Sequence, residues 1–191
     1  MNNQQILEAS KILFKHKLNK TGLNSLNDLE PENLDLAYKI QNELKVNYLT
    51  LTNNICIGKK IGCTSIAAQK QMNVNEPFYG NLYSRYSSKN INKLNSKYFF
   101  QPFVEPEISF RVREDIDISK APYSLKDLNS LLDGIISSIE IVDFRFQKPL
   151  SEIGALNLIS TNGASDFWIE GSKLFQLSLI HISEPTRLSG I

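Results

Sequence analysis

Gln101 to Val112 reads QPFVEPEISFRV, an apolar run carrying two carboxylates two residues apart. Side chains alternate faces along a strand, so this spacing puts Glu105 and Glu107 on one face. It puts Val104, Ile108, Phe110 and Val112 on the other, toward a core. Two like charges a few ångströms apart repel unless a cation or a shared proton sits between them. Such a pair suits a hard divalent ion bound by oxygen. The competing reading is an exposed strand face with two solvated glutamates.

Two further charges stand out. Ile139 to Phe146 reads as a strand on which Glu140 shares a face with Val142, Phe144 and Phe146. A carboxylate on an apolar face is costly unless it is paired or metal-bound. The competing reading is a pair with Arg145 or another base. Ile55 to Ile61 reads ICIGKKI, and its alternation sets Lys60 among Cys56, Gly58 and Gly62. Small neighbours leave room for a ligand, and glycine permits close backbone approach. Against this stands a plain surface lysine guarding an edge strand.

The elements that must position these groups follow from periodicity. Ile6, Ala9, Ile12 and Leu13 give Gln4 to Lys17 the spacing of an amphipathic helix. A second helix starts at Pro31, with Leu34, Ala37, Ile40, Gln41 and Leu44 on one side. Thr64 or Ser65 caps a short helix through Met72. Glu76 to Gly80 reads as a turn-bearing loop, and Tyr86 to Lys97 as loop or irregular hairpin. Ser124 and Asp127 open a further helix whose buried stripe runs Leu128, Leu131, Leu132, Ile135 and Ile136. Asn162 to Ser165 is small and polar and leads into a strand at Phe167 to Ile169.

Composition narrows the classes. The 191 residues suffice for one domain with a sizeable core. A net charge of +1 implies no pull toward nucleic acid or an acidic membrane. Cys56 and Cys63, the two cysteines, suggest neither a disulfide framework nor a zinc site. No signal peptide or membrane span is read, so the expected compartment is the cytoplasm. No P-loop, dinucleotide fingerprint or nucleophile elbow occurs, and the scarcity of histidine argues against a His-based triad.

Several ordered motifs resemble the 2-keto-4-pentenoate hydratases of the fumarylacetoacetate hydrolase superfamily. Gly58 to Ser65 resembles their G-x-K-x-G-x-T-S motif, and Ala37 to Gln41 their A-Y-x-[IV]-Q helix. Pro102 to Phe110 resembles P-x-[VI]-E-x-E-[IL]-x-F. Ile139 to Arg145 resembles L-E-[IV]-V-D-x-R, and Asn162 to Ser165 lies on their [AD]-N-[AG]-x-S stretch. The resemblance implies an α+β fold: N-terminal helices, then a mixed β-sandwich or roll of the superfamily's C-terminal-domain type. It divides the chain into a helical segment 1–50 and a partial catalytic β domain 51–176.

The same resemblance implies a Mg²⁺ or Mn²⁺ site at Glu105, Glu107 and Glu140, with Lys60 as the catalytic lysine and Asn162 in substrate binding. Three carboxylates without His or Cys favour a hard ion on chemical grounds as well. The implied partner is a small 2-oxo-4-enoic acid, hydrated to a 4-hydroxy-2-oxo acid in aromatic catabolism by a homo-oligomer. Two departures favour a rival. Where the hydratases carry an acid before the aromatic-Gly pair, this chain has Phe78. Where an acid precedes the Asn, it has Thr161. A related 2-oxo diacid decarboxylase or C–C bond hydrolase is the alternative, and a metal-binding but inactive fragment is a third reading.

The last residues depart from the family. Leu177 to Arg187 reads LSLIHISEPTR, which matches the translation of a transposon-type sequencing-library adapter. Residues 177–191 are therefore read as a non-native tail and set aside from fold reasoning. The sheet is expected to be incomplete at this end, and the chain as written to be inactive.

Overall fold

The computed structural model describes residues 1–176. α1 (Asn3–Asn19) begins with Asn2, whose side chain accepts the Gln5 amide while the Gln5 side chain returns to the Asn2 amide. α2 (Leu34–Leu49) is capped by Asn33 rather than opened by Pro31. The asparagine oxygen satisfies the Leu36 amide, which proline cannot do. The two helices pack together through Ile6, Ala9 and Leu13 on one and Ala37, Ile40 and Leu44 on the other. This helical layer meets Val142, Phe146, Ile159 and Ala164 in a shared apolar core. No helix among the described residues is long and apolar enough to cross a membrane.

The strands of the described residues form two sheets. β1 (Cys56–Gly62) and β2 (Phe78–Tyr83) make an antiparallel pair, with α3 (Ile66–Met72) between them. Ser65 caps α3 through the Ala68 amide, as its position suggested. The second sheet contains β3 (Ser87–Lys89), β4 (Pro102–Val112), β5 (Leu132–Asp143) and β6 (Ser165–Phe175) in the order β3-β6-β5-β4. β3 runs parallel to β6, and the other pairs are antiparallel. α4 (Leu125–Leu131) precedes β5, and α5 (Leu150–Ile153) and α6 (Ala155–Ser160) precede β6. The chain is thus α+β with a mixed sheet.

Four expectations need correction. The segment at Phe78 is strand, not loop: FYGNLY pairs residue by residue with β1 despite Pro77 and Gly80. Ser87 to Lys89 is likewise a short strand. β5 begins at Leu132 and ends at Asp143, so Ile135 and Ile136 belong to a strand rather than a helix stripe. The β-branched run Ile135, Ile136, Ile139, Ile141 and Val142 fits a pleated surface better than a helix. Gly134, at φ +156°, breaks the helical path just before it. Finally, Val104, Ile108 and Phe110 do not reach a core. They are 64%, 66% and 58% exposed, because among the described residues nothing packs on that face of β4. The tail 177–191 lies outside the described residues.

Candidate metal centre

β4 and β5 bring the three glutamates together by register. Glu105 stands opposite Glu140, and Glu107 opposite Ser138. Antiparallel partners share a sheet face, so all three carboxylates emerge on one side. One oxygen from each lies within 4.8 Å of the others. The period-2 spacing of Glu105 and Glu107 is therefore realised as read. Glu140 is only 2% exposed. Its Oε1 has no hydrogen-bond partner among the described residues.

Lys60 arrives from the other sheet. It pairs across β1–β2 with Gly80. A Cβ at Gly80 would overlap the Asn162 carbonyl, so glycine lets this strand close onto the loop ahead of β6. That close approach seats Lys60 Nζ 3.2 Å from Glu140 Oε2 and 3.1 Å from the Gly163 carbonyl. Lys60 is the inward lysine of its pair. Lys59 instead reaches Asn81 Oδ1 at 2.6 Å and lies over the Tyr79 ring. The partner of Glu140 is thus Lys60, not Arg145.

The electrostatics follow from this geometry. Burial pushes the Glu140 carboxyl above its ordinary range, and the Lys60 charge partly restores it. Burial also raises Glu107, and the neighbouring Glu105 charge adds to the effect. Three carboxylates facing one ammonium leave negative charge in excess. An unpartnered buried carboxylate oxygen within an all-oxygen donor set fits a hard divalent ion. Glu105, Glu107 and Glu140 are the residues able to hold it.

Asn162, expected in substrate binding, has its side chain tied to β2. Its Oδ1 accepts the Asn81 backbone N–H at 2.7 Å, and its Nδ2 donates to the Asn81 carbonyl at 2.9 Å. The side chain is 1% exposed and turned toward β2. It is the backbone of its loop, through the Gly163 carbonyl, that faces Lys60. Sequence reasoning missed Asn81 and gave Gln41 no polar role. Gln41 Nε2 donates to the carbonyls of Tyr79 and Ile159, joining α2 to β2 and α6. A glutamine inside an otherwise apolar helix stripe was the available signal. Thr161 donates its hydroxyl to the carbonyl of Leu158 at 2.9 Å.

The fold, a helical layer over a mixed sheet, has a counterpart among solved structures. The 4-oxalocrotonate decarboxylase from Pseudomonas putida G7, solved with magnesium and adipate, superposes with a TM-score of 0.83. The match is 23% identical and covers 92% of this chain and 65% of that one. In sequence the chain is similar to the 2-keto-4-pentenoate hydratase of Paraburkholderia xenovorans strain LB400, 28% identical over 90% of this chain and 62% of that protein. It is also similar to a 4-oxalocrotonate decarboxylase of Pseudomonas putida, 25% identical over 93% of this chain and 66% of the relative. No family model matches the chain. The chain spans about three-fifths of the length of the curated hydratases it matches.

Proposed function

We propose that this chain carries the metal and lysine half-site of a hydratase that adds water to a 2-oxo-4-enoic acid. The observation that carries the reading is the convergence of Glu105, Glu107 and Glu140 beside the Lys60 ammonium. Mg²⁺ or Mn²⁺ held by the three carboxylates would supply Lewis acidity for a 2-oxo acid. Lys60 Nζ lies where it can hold the substrate carboxylate or carry a proton to and from the carbon skeleton. Hydration places hydroxyl on carbon 4 and hydrogen on carbon 5, which balances as addition of one water. The same proposal includes a cytoplasmic homo-oligomer acting in aromatic-compound breakdown.

A second reading is decarboxylation of a 2-oxo diacid on the same centre. It is favoured by Phe78 and Thr161. Phe78 is buried, with its ring against Gly62 and Gly163, and the Thr161 hydroxyl is tied to α6. Neither supplies the extra acid found in the hydratases. Product analysis separates the readings. With Mn²⁺ and 2-oxopent-4-enoate, a hydratase yields 4-hydroxy-2-oxopentanoate. With 2-oxohex-3-enedioate, a decarboxylase releases CO₂. Calorimetric titration of Mn²⁺ into wild type and Glu140→Gln tests the shared centre. Equal affinity in the two proteins removes it.

A further inference from the structure

Beside the carboxylate centre lies a second cluster of buried charges that the proposed chemistry does not use. Asp143 closes β5, and its carboxylate is fully buried. Its Oδ2 accepts the Phe100 N–H at 2.9 Å, and its Oδ1 accepts the Gln101 N–H at 2.6 Å. Arg145 donates to Asp143 Oδ2 at 2.6 Å and also pairs with Asp166 on β6. Asp166 in turn pairs with Lys17 of α1, whose ammonium lies 4.2 Å from the centre of the Tyr86 ring. Two acids and two bases alternate along a path from α1 to the residues just ahead of β4. Arg145 Nη1 has no partner among the described residues, and a cavity of about 10 Å³ adjoins it, room for one water.

The position of Asp143 gives this cluster its meaning. Asp143 stands opposite Pro102, the first pair of the β4–β5 ladder, and Glu105 opposite Glu140 follows three pairs later. β4 is paired on one side only among the described residues. Burial does not pin it either, since Val104, Ile108 and Phe110 are exposed. A strand whose apolar face is not buried has weakly specified register, and a slip of one residue turns every side chain to the opposite face. Here that slip would carry Glu105 and Glu107 away from Glu140. Like charges at the centre also favour such a slip.

We propose that Asp143, held in place by Arg145, Asp166 and Lys17, is a positioning residue that sets the register of β4 and so keeps Glu105 and Glu107 opposite Glu140. The inference rests on the metal reading of those three glutamates. By two backbone amides, Asp143 fixes where β4 begins. Through Arg145 and Asp166, it ties that starting point to β6 and to the N-terminal helix. Outer partners of this kind orient the ligands, and their loss typically weakens metal binding by about 10–100-fold.

The test compares the 191-residue chain with Asp143→Asn by amide hydrogen exchange without metal and by Mn²⁺ titration. Asparagine keeps the shape but offers one acceptor oxygen in place of two. Exchange at Phe100 and Gln101 is expected to quicken about tenfold. Mn²⁺ affinity is expected to fall by about 10–100-fold in the folded variant. Leu158→Ala, a core change away from the cluster, serves as the control for plain destabilisation. It should lower the melting temperature while leaving Mn²⁺ affinity unchanged. Wild-type exchange at Phe100 and Gln101, or wild-type Mn²⁺ affinity, in Asp143→Asn overturns the proposal. Should that variant not fold, Arg145→Lys decides, because the lysine nitrogen falls one bond short of the Arg145 Nη2 that contacts both Asp143 and Asp166. Faster exchange with weaker Mn²⁺ binding supports the assignment, and no change in either overturns it. A wild-type chain that binds no Mn²⁺ overturns the metal reading instead, and exchange at the two amides then decides the register role alone.

Discussion

Glu105 and Glu140 face each other across the β4–β5 ladder, one on a strand paired on a single side among the described residues and the other deep in the sheet. Directly opposed like charges destabilise a sheet, so the pair marks a place where the fold accepts a cost. Lys60 offsets part of that cost from the neighbouring hairpin.

Lys60→Met tests that role. Methionine matches the length of the side chain but carries neither charge nor proton. In a version whose residues after Gln176 are replaced by a family-like C-terminal segment, turnover of a 2-oxo acid by Mn²⁺-loaded protein is expected to fall by about 10²-fold or more, while the circular dichroism spectrum stays native. Near-normal turnover in this variant removes Lys60 from the mechanism.

Asn162→Ala is expected to act on stability first. It leaves the Asn81 N–H buried and unpaired where Asn162 Oδ1 now accepts it. The cost should be about 1–3 kcal/mol, read as a lower urea midpoint at unchanged slope. If stability is unchanged and only substrate KM rises, the side chain touches substrate after all.

Lys17 predicts a pH dependence. Burial lowers its pKa to about 8, against an ordinary value of 10.5. Between these two values the unfolded chain holds a proton that the folded chain has lost. Stability from this group therefore rises with pH across that window and is flat below it. The difference between wild type and Lys17→Met isolates the effect. Denaturant unfolding from pH 7 to 10 should show wild type gaining on the variant above about pH 8. A flat difference across that range contradicts the lowered value.

Ile108→Lys probes the bare face of β4. Val104, Ile108 and Phe110 form an exposed apolar row on a strand with one edge unpaired among the described residues, a combination that promotes aggregation. The lysine variant is expected to scatter less light on concentration, with the melting temperature nearly unchanged. Equal scattering by both proteins means that another surface drives association.

How far the sequence spoke for itself differs from element to element. The β4 pattern was legible because alternation is local: Glu105 and Glu107 must share a face wherever the strand lies. Alternation set Lys60 among small neighbours, but that pattern fits a surface lysine as well, and it was the resemblance of the Gly58–Ser65 motif that singled it out. Which face of β4 would be covered was not legible, since periodicity separates two faces without saying what packs on either. The strand at Phe78 was hidden by Pro77 and Gly80, whose turn signal outweighs an aromatic run until the pairing with β1 is known. Leu131 and Leu132 continued the helical spacing of α4, and only Gly134 hinted at the change of path. Asn162 and Asn81 lie too far apart in sequence for any local pattern to join them. The salt-linked path from Lys17 to Asp143 is distributed in the same way, though Asp143 and Arg145 stand two residues apart.

Lys60 and the glutamates are carried by separate sheets, and the two sheets meet through Asn81, Asn162 and the glycine at position 80. The centre therefore does not exist in any segment of the chain taken alone. An ion that prefers the assembled arrangement draws the folding equilibrium toward it, by an amount that grows with the logarithm of ion concentration. Thermal denaturation recorded over a series of Mn²⁺ concentrations would thus act as a gauge of sheet docking, and Glu140, joined to both sheets, should set the ion concentration at which that dependence begins.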